Sequence, residues 1–267
     1  MFKVFFAEWR KLRRPTLFFG TFAAALFFTG LITSFIYLMI DSPSGNSDRG
    51  RRVGREVLNL ASGSVHGFAS IGGLLGIIAL CVFAAQTAQE YTYGTLRNLL
   101  VRQPRRLVLL MGKYAAMKTF ALLLTLISAG VSIAISIYLS DRAKVSTALW
   151  FTSAGWSAIA HTLLNVYISI VFYAVIGIAL GILLKSPISA ISIALVWILI
   201  LENLIGAVKP VTLKWMPGNQ FSTIAQGGSP GGSLDISYSH ALTLGSGYVI
   251  AALLLSSFIF AKRDVAN

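Results

Sequence analysis

Residues 17–40 read LFFGTFAAALFFTGLITSFIYLMI, 24 consecutive residues without a charge. A hydrocarbon core about 30 Å thick takes about 20 apolar residues of helix to cross, and inside it every backbone N–H and C=O must bond within its own segment. Such a run reads as a membrane span. The leader ahead of it carries Lys3, Arg10, Lys11, Arg13 and Arg14 and has the outward form of a secretory signal. The apolar run is longer than a signal core and no small-residue cleavage site closes it, so it is expected to stay as a membrane helix.

Five more apolar runs follow, near 67–87, 114–139, 154–184, 188–206 and 241–261. A chain with 56% hydrophobic and only 12% charged residues cannot clothe a soluble core, and its mean hydropathy of +0.76 agrees. The expected fold class is all-α: a polytopic integral membrane protein with six transmembrane helices. It forms a single transmembrane domain over 1–267, with an interfacial helix over 1–14 and short broken outer helices between spans five and six. The fourth run is long enough to tilt or to leave the hydrocarbon.

The net charge of +13 would point to nucleic acid in a soluble protein. Here the basic residues cluster where helices leave the membrane, so lipid headgroups are the expected counterion and no nucleic-acid partner is expected. With the N-terminus in the cytoplasm, most of the 22 Lys and Arg residues fall inside. Four arginines of the first outer loop, Arg142, Lys144, Lys209 and Lys214 fall outside. The bias follows the positive-inside rule, and an even number of spans puts both termini on the cytoplasmic side. The lone Cys81 lies inside the second run and can form no internal disulfide.

In the leader, Phe2, Phe5, Phe6, Trp9 and Leu12 fall on one helical face, with Lys3, Arg10, Lys11 and Arg14 largely toward the other. This is the pattern of a helix lying in the headgroup layer, or of a basic, snorkelling end to span one. The first outer loop has a flexible start at Pro43, then a charged segment from Arg49 to Glu56 with room for a short surface helix. In the inner region 88–113, Leu96, Leu99 and Leu100 stand at helical spacing and Pro104 ends the run, which predicts a short amphipathic helix resting on lipid or on a protein partner.

The chemistry of several enzyme classes is missing. Lys118-Thr119 and Lys185-Ser186 lack the upstream glycines of a phosphate cradle, and neither a His-Glu-x-x-His pair nor a spaced cysteine set occurs. Gly227-Gly228-Ser229-Pro230-Gly231 fits the string of a hydrolase nucleophile elbow, with Asp235 and His240 after it, but no strand and helix flank it. His66, His161 and His240 lie at unrelated spacings and read as interfacial or packed histidines. Glu202, beside Asn203 in span five, must find a partner, water or a proton, so it serves either a pathway or gate or a structural bond to an outer loop. Asn165 in span four either lines a cavity or bonds a neighbouring helix. Gly72-x-x-x-Gly76 and Gly177-x-x-x-Gly181 clear one face of their helices for close packing.

The order of elements resembles the permease subunits of bacterial type-two ABC exporters. Glu90-Tyr91-Thr92-Tyr93-Gly94-Thr95-Leu96-Arg97, followed by Pro104-Arg105-Arg106 and Gly112-Lys113, looks like that family's motif after span two. Glu202-Asn203-Leu204 with Trp215-Met216-Pro217-Gly218 is similar to its Glu-Pro-Leu and Trp-Leu-Pro-Gly elements, with Asn203 where proline is usual. The ending Phe260-Ala261-Lys262-Arg263-Asp264-Val265 resembles the family's basic C-terminus.

The resemblance implies a transporter half in a plasma membrane with no catalysis and no cofactor of its own; ATP and magnesium would sit on a separate ATPase subunit. It implies a second permease copy, identical or related, and export of a drug-like, peptide or lipid-like substrate. The coupling residues implied are Glu90, Tyr91, Gly94, Thr95, Leu96, Arg97, Leu99 and Leu100, so replacing Leu96 and Leu99 by Asp is expected to uncouple the ATPase while leaving insertion intact. An ion- or proton-coupled secondary transporter is the alternative, and a membrane-embedded hydrolase the third.

Overall fold

The computed structural model describes residues 2–40, 54–228 and 235–262, and no β-strand occurs among them. A short basic helix, α1 (Phe2–Leu12), precedes the first span, α2 (Pro15–Leu38). Pro15 opens α2 because its ring presets a helical φ and its missing N–H is one that no helix start can pair. Beyond this span come α3 (Arg55–Leu58) and a 3-10 turn, Gly63–Val65, that runs into α4 (His66–Thr92). The chain then forms α5 (Thr95–Arg102), α6 (Arg106–Ser140) and α7 (Ser153–Leu184). Span five is composite: α8 (Pro187–Leu195), a π-helical turn (Val196–Leu201) and α9 (Glu202–Val208). A 3-10 segment, Pro210–Trp215, and α10 (Pro217–Ala225) fold back before α11 (Tyr238–Lys262) crosses last.

Six helical segments are long and apolar enough to cross a bilayer: Pro15–Leu38, Gly63–Thr92, Arg106–Ser140, Ser153–Leu184, Pro187–Val208 and Tyr238–Lys262. The protein is an all-α, multi-pass membrane protein. Two boundaries differ from the hydropathy reading. α4 continues past 87 to Thr92 and α6 starts at Arg106 rather than near 114, so only 93–105 of the expected 88–113 loop leaves the two helices. The charges that made this stretch look like loop, Glu90 and Lys113, are paired inside the bundle, so the helices have no reason to stop before them. With 35 residues, α6 is roughly 50 Å long and stands well beyond a 30 Å hydrocarbon layer.

α1 and the end of α11 gather at one face, here the terminal face. Arg106 donates from Nη1 to the Phe260 carbonyl at 3.2 Å, joining the start of α6 to the end of α11, and Thr92 Oγ1 donates to the Lys185 carbonyl at 3.1 Å. Lys11 reaches Glu90 at 2.8 Å, which brings α1 to the same end.

α4 and α7 form the centre of the bundle. A Cβ on Gly177 would overlap the Leu80 carbonyl, one on Gly76 the Tyr173 ring, and one on Gly181 would come within 2.8 Å of the Ala84 carbonyl. Gly72 plays the same part toward α10, where Ala225 occupies the space. In lipid, where no hydrophobic drive pushes helices together, such close backbone approach supplies the attraction through dispersion. On the far face, Trp150 is fully buried beside Tyr37, Leu58 and Val145 and donates from Nε1 to the Leu58 carbonyl at 2.9 Å. That bond clamps the connection between α6 and α7 onto α3.

Candidate functional site

At the terminal face four charged side chains from three elements alternate in sign. Lys11 of α1 lies 2.6 Å from Glu8 and 2.8 Å from Glu90 of α4; Lys113 of α6 lies 3.1 Å from Glu8 and 2.6 Å from the same Glu90 oxygen. Two carboxylates and two ammonium groups cancel, which is the condition for holding charge out of water. Burial pushes the Glu8 carboxyl up, but Lys113 and Lys11 outweigh it and hold Glu8 below the ordinary carboxylate range. Glu8 is therefore ionised at neutral pH.

The ring decides how α1 lies. Val4, Glu8 and Leu12, four residues apart, face inward against α6, where Gly112 leaves the space that Val4 fills. This corrects the face read from the leader: Leu12 is buried, Phe5 and Trp9 are half-buried, and Phe2 and Phe6 point outward. Partner geometry, not the average hydropathy of the face, sets the rotation of the helix.

α5 hangs from this ring. Gly94 has φ +65°, a left-handed conformation that costs glycine nothing, and there it ends α4 and opens α5. Thr95 Oγ1 donates to the Glu90 carbonyl at 3.5 Å. The implied coupling residues divide into two sets. Glu90 and Leu96 are buried, Leu96 at 2% exposure, and Tyr91, Leu99 and Leu100 are half-buried against the main core. Gly94, Thr95 and Arg97 are exposed, and Val101, at 79%, is the outward apolar residue of α5. Leu96 and Glu90 thus fasten α5 from within, and its outward side carries Arg97 and Val101.

A second constellation occupies the opposite face. Glu202, buried at the start of α9, accepts from the Gly218 N–H at 2.9 Å, the Asn219 N–H at 3.0 Å and the Trp197 indole at 3.0 Å. The first two are free N–H groups of the first turn of α10, where a carboxylate also meets the positive end of the helix dipole. The i→i+5 spacing of the π turn brings Trp197 to the side of Glu202. Tyr173 of α7 donates to the Gly218 carbonyl at 2.9 Å, and Ser169 to that of Phe221 at 2.7 Å, so α10 is pinned between spans four and five. Gly218 is needed because a Cβ would come within 2.7 Å of the Glu202 carboxylate.

On one side of this bolt lies a largely apolar cavity of about 300 Å³ that includes Leu80, Trp197, Phe221 and Tyr248; on the other a groove of about 330 Å³ reaches Ser70, Asn203 and Ser222. Asn203 is exposed and donates back to the Leu199 carbonyl at 2.9 Å. Asn165 accepts from the Tyr238 hydroxyl at 2.9 Å, tying the start of α11 to α7.

Exchanging Glu202 for Gln puts an amide N–H₂ where an acceptor is required. Glu202→Gln is expected to destabilise the protein by about 1–2 kcal/mol. The check is the thermal midpoint of the purified protein in detergent, and an unchanged midpoint would remove Glu202 as the anchor of α10.

Among the described residues no three His, Cys, Asp or Glu side chains come together as a metal site. The His240 ring lies 3.2 Å from the Lys214 carbonyl and edge-on to Trp215, while Ser229 falls outside the described residues. Arg263, Asp264 and Val265 of the ending, and Arg49 to Val53 of the first outer loop, also fall outside them.

Compared with known families, residues 51–266 match the model described as "Protein of unknown function (DUF2705)". The chain belongs to that family. The segment matched in this DUF2705 protein holds Glu90, Lys113 and Glu202, and leaves Glu8 and Lys11 outside. No curated protein matches the chain.

Sequence reasoning passed over Glu8 and Lys113 as members of a site. One signal was available for Glu8: a single acidic residue in a basic leader, spaced four from Val4 and four from Leu12. Lys113 stood in the motif resemblance after span two, but nothing local gave it a partner, because a lysine near a span end reads equally well as one that snorkels to the headgroups.

Proposed function

We propose that this protein is the permease subunit of an ATP-driven ABC exporter in a bacterial plasma membrane, with both termini cytoplasmic. A separate ATPase subunit docks on α5, and a second permease copy, identical or related, completes the pathway for a drug-like, peptide or lipid-like substrate. The observation that carries this reading is α5 itself. It is a short helix at the terminal face, hinged at Gly94 and fastened inward by Leu96, and the outward Arg97 and Val101 have no partner among the described residues. A push on that outward side is transmitted through Glu90 to α1 and α6, since the ion ring joins all three. An ATPase that binds two states of this element differently would shift the bundle between them. The sequence resemblance from Glu90 to Arg97 supports the same reading. Glu202, held by three N–H donors, has the bonding of a structural cap, which weighs against its use as a proton carrier.

The test uses the outward residues, because Leu96→Asp would disturb folding as well as docking. Arg97→Glu with Val101→Asp is expected to reduce co-purification of the ATPase subunit when the two are co-expressed, and nucleotide-dependent efflux, about tenfold or more. The thermal midpoint should hold, since exposed substitutions cost within about 0.5 kcal/mol. Full complex formation and efflux in this variant would reject the assignment, as would efflux that follows an ion gradient and ignores nucleotide.

A further inference from the structure

Beside the ion ring a cleft of about 340 Å³ opens at the terminal face between α1, the end of α4 and α5, with Lys11, Arg14, Gln86, Gln89, Tyr93 and Asn98 among its lining residues. Its lining is polar, and its charge balance is one-sided. Gln86 and Gln89, three apart on one face of α4, are half-buried, and their carboxamides make no hydrogen bond to the described residues. Both amides therefore stand open to a ligand in the cleft, each with two N–H donors. Arg14, at the joint of α1 and α2, is exposed and carries no bond from its guanidinium. Lys11 has three N–H donors and spends two, on Glu8 and Glu90. The Glu90 carboxylate also lines the cleft, but Lys11 and Lys113 at 2.8 and 2.6 Å neutralise it. Since the ring sums to zero, Arg14 leaves the cleft with a positive balance and a surplus of donors.

Location selects the ligand. α1 exposes Phe2 at 82% and Phe6 at 58%, the apolar pair that seats such a helix at the boundary of headgroups and acyl chains. The molecules that meet the cleft at that depth are phospholipids. We propose that the cleft binds the phosphate of an anionic phospholipid headgroup, with Arg14 and Lys11 pairing its charge and Gln86, Gln89 and Asn98 donating to its oxygens. A phosphodiester offers acceptors to the open N–H groups of Arg14, Lys11 and the carboxamides, whereas a cationic ligand would face the unbalanced charge of Arg14. Bound there, the lipid bridges α1, α4 and α5 and holds the α1 end of the ring in place. The site is built from this chain alone, so it stands whether or not an ATPase docks on α5.

The experiment is native mass spectrometry of the full-length protein released from nanodiscs of equimolar phosphatidylglycerol and phosphatidylcholine. The wild type is expected to retain phosphatidylglycerol in preference. Gln86→Leu with Gln89→Leu, and separately Arg14→Gln, are each expected to lower that retention about tenfold, the loss that follows from removing hydrogen bonds to a charged group. Arg10→Gln, on α1 but outside the cleft, should leave it unchanged. The leucine pair only removes amides from an apolar helix; if its thermal midpoint nonetheless collapses, Arg14→Gln carries the test. Competition by millimolar inorganic phosphate would assign the same phosphate site to a free ligand, and persistence of the lipid would assign it to the headgroup. Equal retention of both lipids by the wild type, or equal phosphatidylglycerol retention in wild type and cleft variants, would overturn the proposal. So would loss of ATPase co-purification in the leucine pair with lipid retention unchanged, which would make the cleft a protein contact.

Discussion

Lys113→Met is expected to lower the stability of the protein by about 3–5 kcal/mol, the range for removing one partner from a buried ion pair. The side chain is 7% exposed and neutralises Glu8 and Glu90, each also 7% exposed. Without it, Lys11 faces two carboxylates alone and the site holds an uncompensated negative charge. Methionine keeps the length and shape of the lysine stem, so the loss reports charge and not a cavity. The thermal midpoint in detergent should fall on the order of 10 °C. Adding Glu8→Gln to Lys113→Met leaves Lys11 paired with Glu90 and restores neutrality, so the double variant should recover much of the loss, with a coupling of roughly 0.5–3 kcal/mol. If the single variant unfolds at the wild-type temperature, or the second change deepens the loss, the ring does not hold α1 to the bundle.

The second large effect sits between α4 and α7. Gly177→Ala adds a Cβ that would overlap the Leu80 carbonyl, and backbone cannot swing aside as a side-chain tip does. The two helices must part, and overpacking of this kind costs about 1–3 kcal/mol. A matched control gives the opposite sign. Gly130, in α6, has nothing within 4 Å of a built Cβ, so Gly130→Ala should be neutral or stabilise by up to about 1 kcal/mol through helix propensity. Thermal midpoints of the two variants, side by side, check both values. Equal behaviour would mean that α4 and α7 approach less closely than their glycines allow.

Both experiments bear on the terminal face, because α4 carries Glu90 there and α7 ends at the turn that Thr92 caps. Holding the central pair together and holding the ring together are two ways of fixing where α5 stands. Gly94, in its left-handed conformation, is the place where α4 ends and α5 turns away from this frame.

What lay open in the linear chain was what depends on neighbours a few residues apart. Lipid requires about 20 apolar residues per crossing, and that demand is local, so the six spans were readable from runs such as 17–40 and 154–184. The break at Pro104 was equally local, because backbone sterics act within one turn, and α5 ends at Arg102 ahead of it. Only the folded bundle decided which residues meet across it. Glu8 and Lys113 stand 105 positions apart, and Glu202 finds the first turn of α10 at a separation of 16 and 17, distances over which no periodicity carries information. The side of α5 that Leu96 occupies was settled in the same way, by the core it packs into. In a membrane nearly every outward residue is apolar, so hydropathy cannot tell the lipid face from the packed face, and the partner groups that can are brought together only by the tertiary fold.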